Sequence, residues 1–156
     1  MHVPLVIRFP EKYKHLFATA QGVREDGFVS FIDFSPTVLN LAGLDVPESM
    51  DGKPFAGEGV TTESLASRDE AFGYADRFDE RYEFARSFRK GKYKYIRAYE
   101  HFYPDSLQNN YRYRMLAFSQ WRELNSKGEL NEAQSHFFHA KPVELLFDVE
   151  ADPHEV

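Results

Sequence analysis

The spacing of apolar positions changes along the chain, and each change predicts a different element. Val3 to Phe9 is an apolar run broken only by Arg8 and closed by Pro10. Such a run predicts a strand covered on both faces within a parallel sheet. Glu11 to Gly27 is polar and punctuated by glycine, which predicts a loop with one helical turn. In FIDFSPTVLNLAGLDVP, Phe34, Val38, Leu41 and Ala42 recur at helical spacing. Asp33 or Ser35 can cap that helix, Pro36 fits a first turn whose amides lack partners, and Gly43 supplies the stop before Pro47. MDGKPFAGEGV, from Met50 to Val60, is turn chemistry.

The second half reads differently. Two aromatic-rich strands, Glu83–Phe88 and Tyr93–Tyr99, flank Lys90-Gly91 and predict an antiparallel hairpin. Ala71–Ala75 has strand character ahead of it. Met115, Leu116, Phe118, Trp121 and Leu124 predict a helix ending before Gly128, and a shorter one runs from Asn131 through Phe138. Leu145–Val149 is a last strand, turned away by Asp152-Pro153. The expected fold class is α/β, or α+β for the chain taken by itself. A strand–helix unit over residues 1–60 precedes an antiparallel sheet with helical cover over residues 61–156.

Composition narrows the function. With 156 residues, 42% of them hydrophobic and 16% aromatic, the chain is long enough and apolar enough to fold. Its formal net charge of −6 repels phosphate, which disfavours nucleic acid and an anionic membrane surface as partners. There is no cysteine, so disulfides, thiolate metal sites and a cysteine nucleophile are excluded together. Val3–Ile7 is too short for a signal sequence core or a membrane span.

Four stretches then carry a resemblance: VPLVIRFP, FIDFSPTVLNLAGLDVP with MDGKPF, RSFRKGKYKYIRAY, and LLFDVEADPHEV. In this order they resemble the C-terminal part of sulfatases, the alkaline-phosphatase-like sulfuric ester hydrolases. Residues 99–146 form a long insertion similar to the subgroup of heparan N-sulfatase and bacterial glycan sulfatases. The resemblance implies a formylglycine nucleophile made within a Cys/Ser-x-Pro-x-Arg motif, and a calcium ion that neutralises sulfate oxygens. Neither set is recognisable here: no cysteine exists, and Ser35-Pro36-Thr37 lacks both the spacing and the arginine. Sulfate-ester cleavage needs an activated nucleophile and dense positive charge on developing anionic oxygens. The expectation is a C-terminal portion of a larger enzyme, inactive alone and without a cofactor of its own. Its partner would be the remaining catalytic domain. The alternative is a non-catalytic module that binds a sulfated or acidic glycan.

Arg77, Asp79, Glu80 and Arg81 in YADRFDERYEF form the most suggestive polar cluster. The resemblance implies that this segment approaches the mouth of the pocket. There arginine can grip a sulfate or carboxylate, and the acids can accept sugar hydroxyls. A solvated loop of mixed charge is the commoner fate of such residues. RKGKYKYIR interleaves lysine with tyrosine as single-stranded nucleic-acid sites do, yet a lysine-guarded hairpin explains it more simply. His136 and His139 stand at metal-pair spacing without a completing carboxylate, and read as packed or capping side chains. Asp148, Glu150 and Asp152 alternate like a calcium loop, but Pro153 falls where glycine is required. The stripe from Met115 to Trp121 reads as core or as an interdomain face. Val3–Ile7, finally, is apolar enough to recruit another chain if left uncovered, so self-association is expected there.

Overall fold

The computed structural model describes residues 3–78, 81–107 and 109–155. The chain divides into two compact units, Met1–Ala71 and Phe72–Val156.

In the first unit, a 3-10 turn over Glu11–Leu16 is followed by a second over Phe31–Asp33 that leads into helix α1, Phe34–Leu41. Ser30 and Asp33 form a capping box: Ser30 N donates to Asp33 Oδ2 at 2.9 Å. Gly43, at φ 71°, ends α1 in the left-handed region, and Leu44 N returns to Leu39 O at 3.0 Å. A short helix α2, Thr62–Ala66, is capped reciprocally by Thr61 and Ser64. The apolar cover is thin, with Ala56 and Leu65 buried. Polar bonds do much of the holding. Thr37 Oγ1 accepts from Phe55 N at 3.0 Å, and Asn40 Nδ2 donates to Ala56 O and Glu58 O at 3.1 and 3.0 Å.

Two expectations are corrected in this unit. Val3–Phe9 forms no strand among the described residues, and Val3 and Val6 are 67% and 90% exposed. A strand is defined by the neighbour that pairs with it, and no described segment runs alongside. The helix does follow, but its apolar stripe is not the buried one. Val38 is exposed, whereas Pro36 and Thr37 are buried, because the Thr37–Asn40 side binds the loop 53–58.

The second unit carries a four-stranded antiparallel sheet in the order β1-β2-β3-β4. The strands are β1 Glu70–Phe78, β2 Arg81–Lys90, β3 Tyr93–Ala98 and β4 Glu144–Asp148. Lys90 pairs with Tyr93 across a two-residue turn, Gly91-Lys92, so the expected hairpin is present. β3 pairs antiparallel with β4, from Tyr93↔Asp148 to Arg97↔Glu144. Between β3 and β4 lie α3 Asn110–Tyr113, α4 Leu116–Lys127 and α5 Glu132–Ser135. Gly128, at φ 70°, closes α4 as expected. An Asn131–Gln134 capping box starts α5, and a 3-10 turn over His136–Phe138 follows. Among the described residues, Ala98 and Phe118 are the buried apolar side chains of this unit. Mixed helices and an antiparallel sheet are thus the observed fold class.

Candidate functional site

β1 and β2 bring the suggestive charges toward one end of a hairpin. Arg77 is exposed near the end of β1, and Arg81 opens β2. Asp79 and Glu80 lie outside the described residues, so the acidic half of the expected cluster has no structural account here. Just inside the hairpin, Arg86 Nη1 contacts Asp76 Oδ1 at 2.6 Å and its guanidinium lies 5.0 Å from the Phe84 ring.

The alternation of β2 explains this placement. Tyr82, Phe84, Arg86 and Phe88 recur every second residue and therefore share one face. Arg86 stands directly opposite Arg97 on β3. Like charges so placed repel, and each has a counter-charge: Asp76 for Arg86, and Glu144 at 3.8 Å for Arg97. Tyr95 donates to Glu144 Oε1 at 2.9 Å, and that bond raises the tyrosine pKa by favouring its protonated form. Aromatic rings fill the rest of this face. Phe84 meets Tyr99 at 4.6 Å and Phe72 meets Phe88 at 4.8 Å, while Phe72 and Tyr74 are 77% and 80% exposed. The result is an exposed aromatic patch on this face of the sheet.

Two further features support the hairpin. Phe84 has φ 43°, a left-handed conformation that costs a side-chain-bearing residue energy, and its carbonyl accepts from Tyr99 N at 3.0 Å. Lys141 Nζ binds Glu83 at 2.7 Å and Asp105 at 2.9 Å, tying β2 to the segment that follows β3. Sequence reasoning missed this triad because its members are 58 and 36 residues from the lysine. It also missed the Arg86–Asp76 pair, although the period-two placement of Arg86 was a usable signal.

The remaining candidates resolve locally. Lys92 contacts Asp148 at 2.7 Å and Lys94 contacts Glu155 at 2.6 Å, so these lysines of RKGKYKYIR are held by carboxylates. His139 follows a 3-10 turn as its C-cap. Asp148 Oδ1 accepts from Glu150 N and Ala151 N at 3.2 and 3.3 Å, as an Asp-initiated turn does. Among the described residues, no three His, Asp or Glu side chains are arranged to hold a metal ion.

In the first unit the densest polar node surrounds Asp33, which is 8% exposed. Its Oδ1 accepts from Lys53 N at 2.9 Å, and Arg68 Nη1 lies 3.7 Å from Oδ2. Arg68 also donates to the Lys53 and Pro54 carbonyls. Every group in this node is satisfied from within, which makes it a fastening of the 53–55 loop.

The comparisons with known proteins agree with this architecture. Residues 1–112 match the family model described as N-sulphoglucosamine sulphohydrolase, C-terminal. An ulvan-active sulfatase from Formosa agariphila is 34% identical over 157 residues, a match that covers all of this chain and 25% of the relative. The chain thus spans about a quarter of that relative's length. The match to the family model covers well over half of the residues, and on that ground the chain belongs to the N-sulphoglucosamine sulphohydrolase C-terminal family.

Proposed function

We propose that this chain serves a sulfuric ester hydrolase acting on sulfated glycans, and that its β1–β2 hairpin helps select the substrate. The 34% identity to an ulvan-active sulfatase across the whole chain carries the reading. In this role Arg77, with Asp79, Glu80 and Arg81, meets the sugar beyond the scissile ester. Arginine suits that task because its planar fork binds sulfate or carboxylate through two parallel hydrogen bonds. The nucleophile would come from other residues of the enzyme, because the 156 residues contain no cysteine and no Ser-x-Pro-x-Arg motif.

The test is a graft of this chain in place of the matching quarter of the Formosa sulfatase. The graft should release sulfate from polysaccharide, whereas the chain alone should release none, with or without calcium. Arg77→Ala in the graft should lower kcat/KM on polysaccharide about tenfold or more, the scale of a lost charge-assisted contact of roughly 1.5–3 kcal/mol. A small aryl sulfate, which does not reach the hairpin, should be nearly unaffected. Calcium-dependent turnover by the chain alone, or equal losses on both substrates, would defeat the proposal.

One observation favours a second reading, a non-catalytic glycan-binding module. The exposed Phe72 and Tyr74 adjoin the Arg86–Arg97 pair, a surface on which sugar rings can stack. Polysaccharide binding by the chain, without any effect of Arg77→Ala on turnover in the graft, would favour it.

A further inference from the structure

The helices between β3 and β4 build a concavity of their own. It encloses about 340 Å³, open to solvent, and is lined by Arg112, Met115, Ala117, Phe118, Trp121 and Phe137. That volume falls within the range of small-molecule pockets, about 300–1,000 Å³. Its wall is fixed rather than loosely packed. Trp121 and Phe137 stack at 4.6 Å with 25° between their planes, and Trp121 Nε1 donates to Gln134 O at 3.1 Å.

The charge of the pocket sets it apart from the rest of the chain. The Arg112 guanidinium lies 4.8 Å from the Phe137 centroid and 5.7 Å from that of Phe118, and Nη1 donates to Asp105 O at 2.6 Å. Arg122 lies 4.5 Å from the Tyr113 ring and 5.9 Å from Phe118. Two guanidinium groups therefore lie near one buried ring, that of Phe118. Two acids in nearby sequence are engaged elsewhere: Glu123 with Lys127 at 2.6 Å, and the Asp105 carboxylate with Lys141 at 2.9 Å. Among the described residues neither Arg112 nor Arg122 has a carboxylate partner. In a chain of net charge −6, uncompensated positive charge beside an aromatic pocket is complementary to an anion.

We propose that this pocket is an accessory site for a sulfated saccharide. The sulfate is held by Arg112, with Arg122 at the mouth; the apolar face of the sugar ring lies on the aromatic lining, and the hydroxyls stay in water. The choice of a sugar rests on the sulfated-glycan reading above, while the preference for an anion rests on the two arginines.

Trp121 is the chain's single tryptophan, so intrinsic fluorescence reports on the pocket directly. Titrating the 156-residue chain with glucose 6-sulfate should give a saturable change, weakened by added salt, that glucose does not produce. Arg112→Gln should weaken this binding about tenfold or more, with Arg112→Lys keeping part of it. Arg77→Ala should leave it unchanged, and sulfate release is not the readout, so failure here is distinct from failure of the proposed function. If circular dichroism shows that Arg112→Gln disturbs the fold, the exposed Arg122→Gln carries the test and should weaken binding in the same direction. No saturable change, an equal response to glucose, or tighter binding of cyclohexyl sulfate than of the sugar sulfate would overturn the proposal.

Discussion

At the scale of single residues, close approach decides more than propensity does. A Cβ placed on Gly52 would lie 2.1 Å from the carbonyl oxygen of Ile32, a backbone atom that has no rotamer to escape into. The next residue, Lys53, donates its amide to Asp33, so the glycine lets the loop come near enough for that bond. Gly52→Ala should destabilise the fold by about 1–3 kcal/mol, the usual cost of overpacking. Urea denaturation followed by circular dichroism measures it, and an unchanged midpoint would show that the loop can move aside freely. The sequence marked Asp51-Gly52 as a turn. It could not show the contact, because Ile32 approaches through a backbone carbonyl that any residue would carry.

At the scale of elements, the second unit was legible wherever period and punctuation agreed. Alternation in β2 and β3 around Lys90-Gly91 gave the hairpin, though the turn itself falls one residue later, at Gly91-Lys92, and Gly128 marked the end of α4. α2 and α3, of five and four residues, were missed because neither spans enough turns to show a period. The Arg112 pocket was invisible for another reason: its lining comes from separated helical segments, and no local pattern reports where they meet. The β3–β4 pairing offers a test of its own at Lys92–Asp148. The Lys92 ammonium holds the Asp148 carboxyl below the usual carboxylate range, and that hydrogen bond in turn raises the lysine. A depressed carboxyl contributes stability above its unfolded pKa of about 3.9 and loses it as pH falls through the lowered folded value. A raised lysine contributes below about 10.4 and loses it as pH rises through its folded value. Asp148→Asn should therefore be less stable than the parent at neutral pH, with the difference closing in acid. Thermal melts across pH measure this, and a gap that persists undiminished at low pH would assign it to the Glu150 and Ala151 amide bonds instead.

At the scale of the molecule, the balance between covered and uncovered apolar surface sets how the chain behaves in solution. Val3, Leu5, Val6 and Ile7 are 67%, 46%, 90% and 43% exposed, and no charged side chain interrupts them before Arg8. A segment with no strand partner among the described residues offers backbone donors and acceptors beside apolar side chains, which is what a second chain needs to add a strand. The hairpin is better protected, since Lys92 and Lys94 keep charge at its turn and along β3. The exposed rings of Phe72 and Tyr74 have the Arg86–Asp76 pair as a polar neighbour. Self-association should therefore proceed through residues 3–7, and Val6→Lys should move the chain toward monomer in sedimentation velocity, with circular dichroism confirming that the fold survives. Tyr74→Lys should change the distribution far less. The reverse result would place the contact on the aromatic face of the sheet. A parent chain already monomeric at high concentration, with the amides of Val3–Ile7 protected from exchange, would mean that the segment pairs within its own molecule.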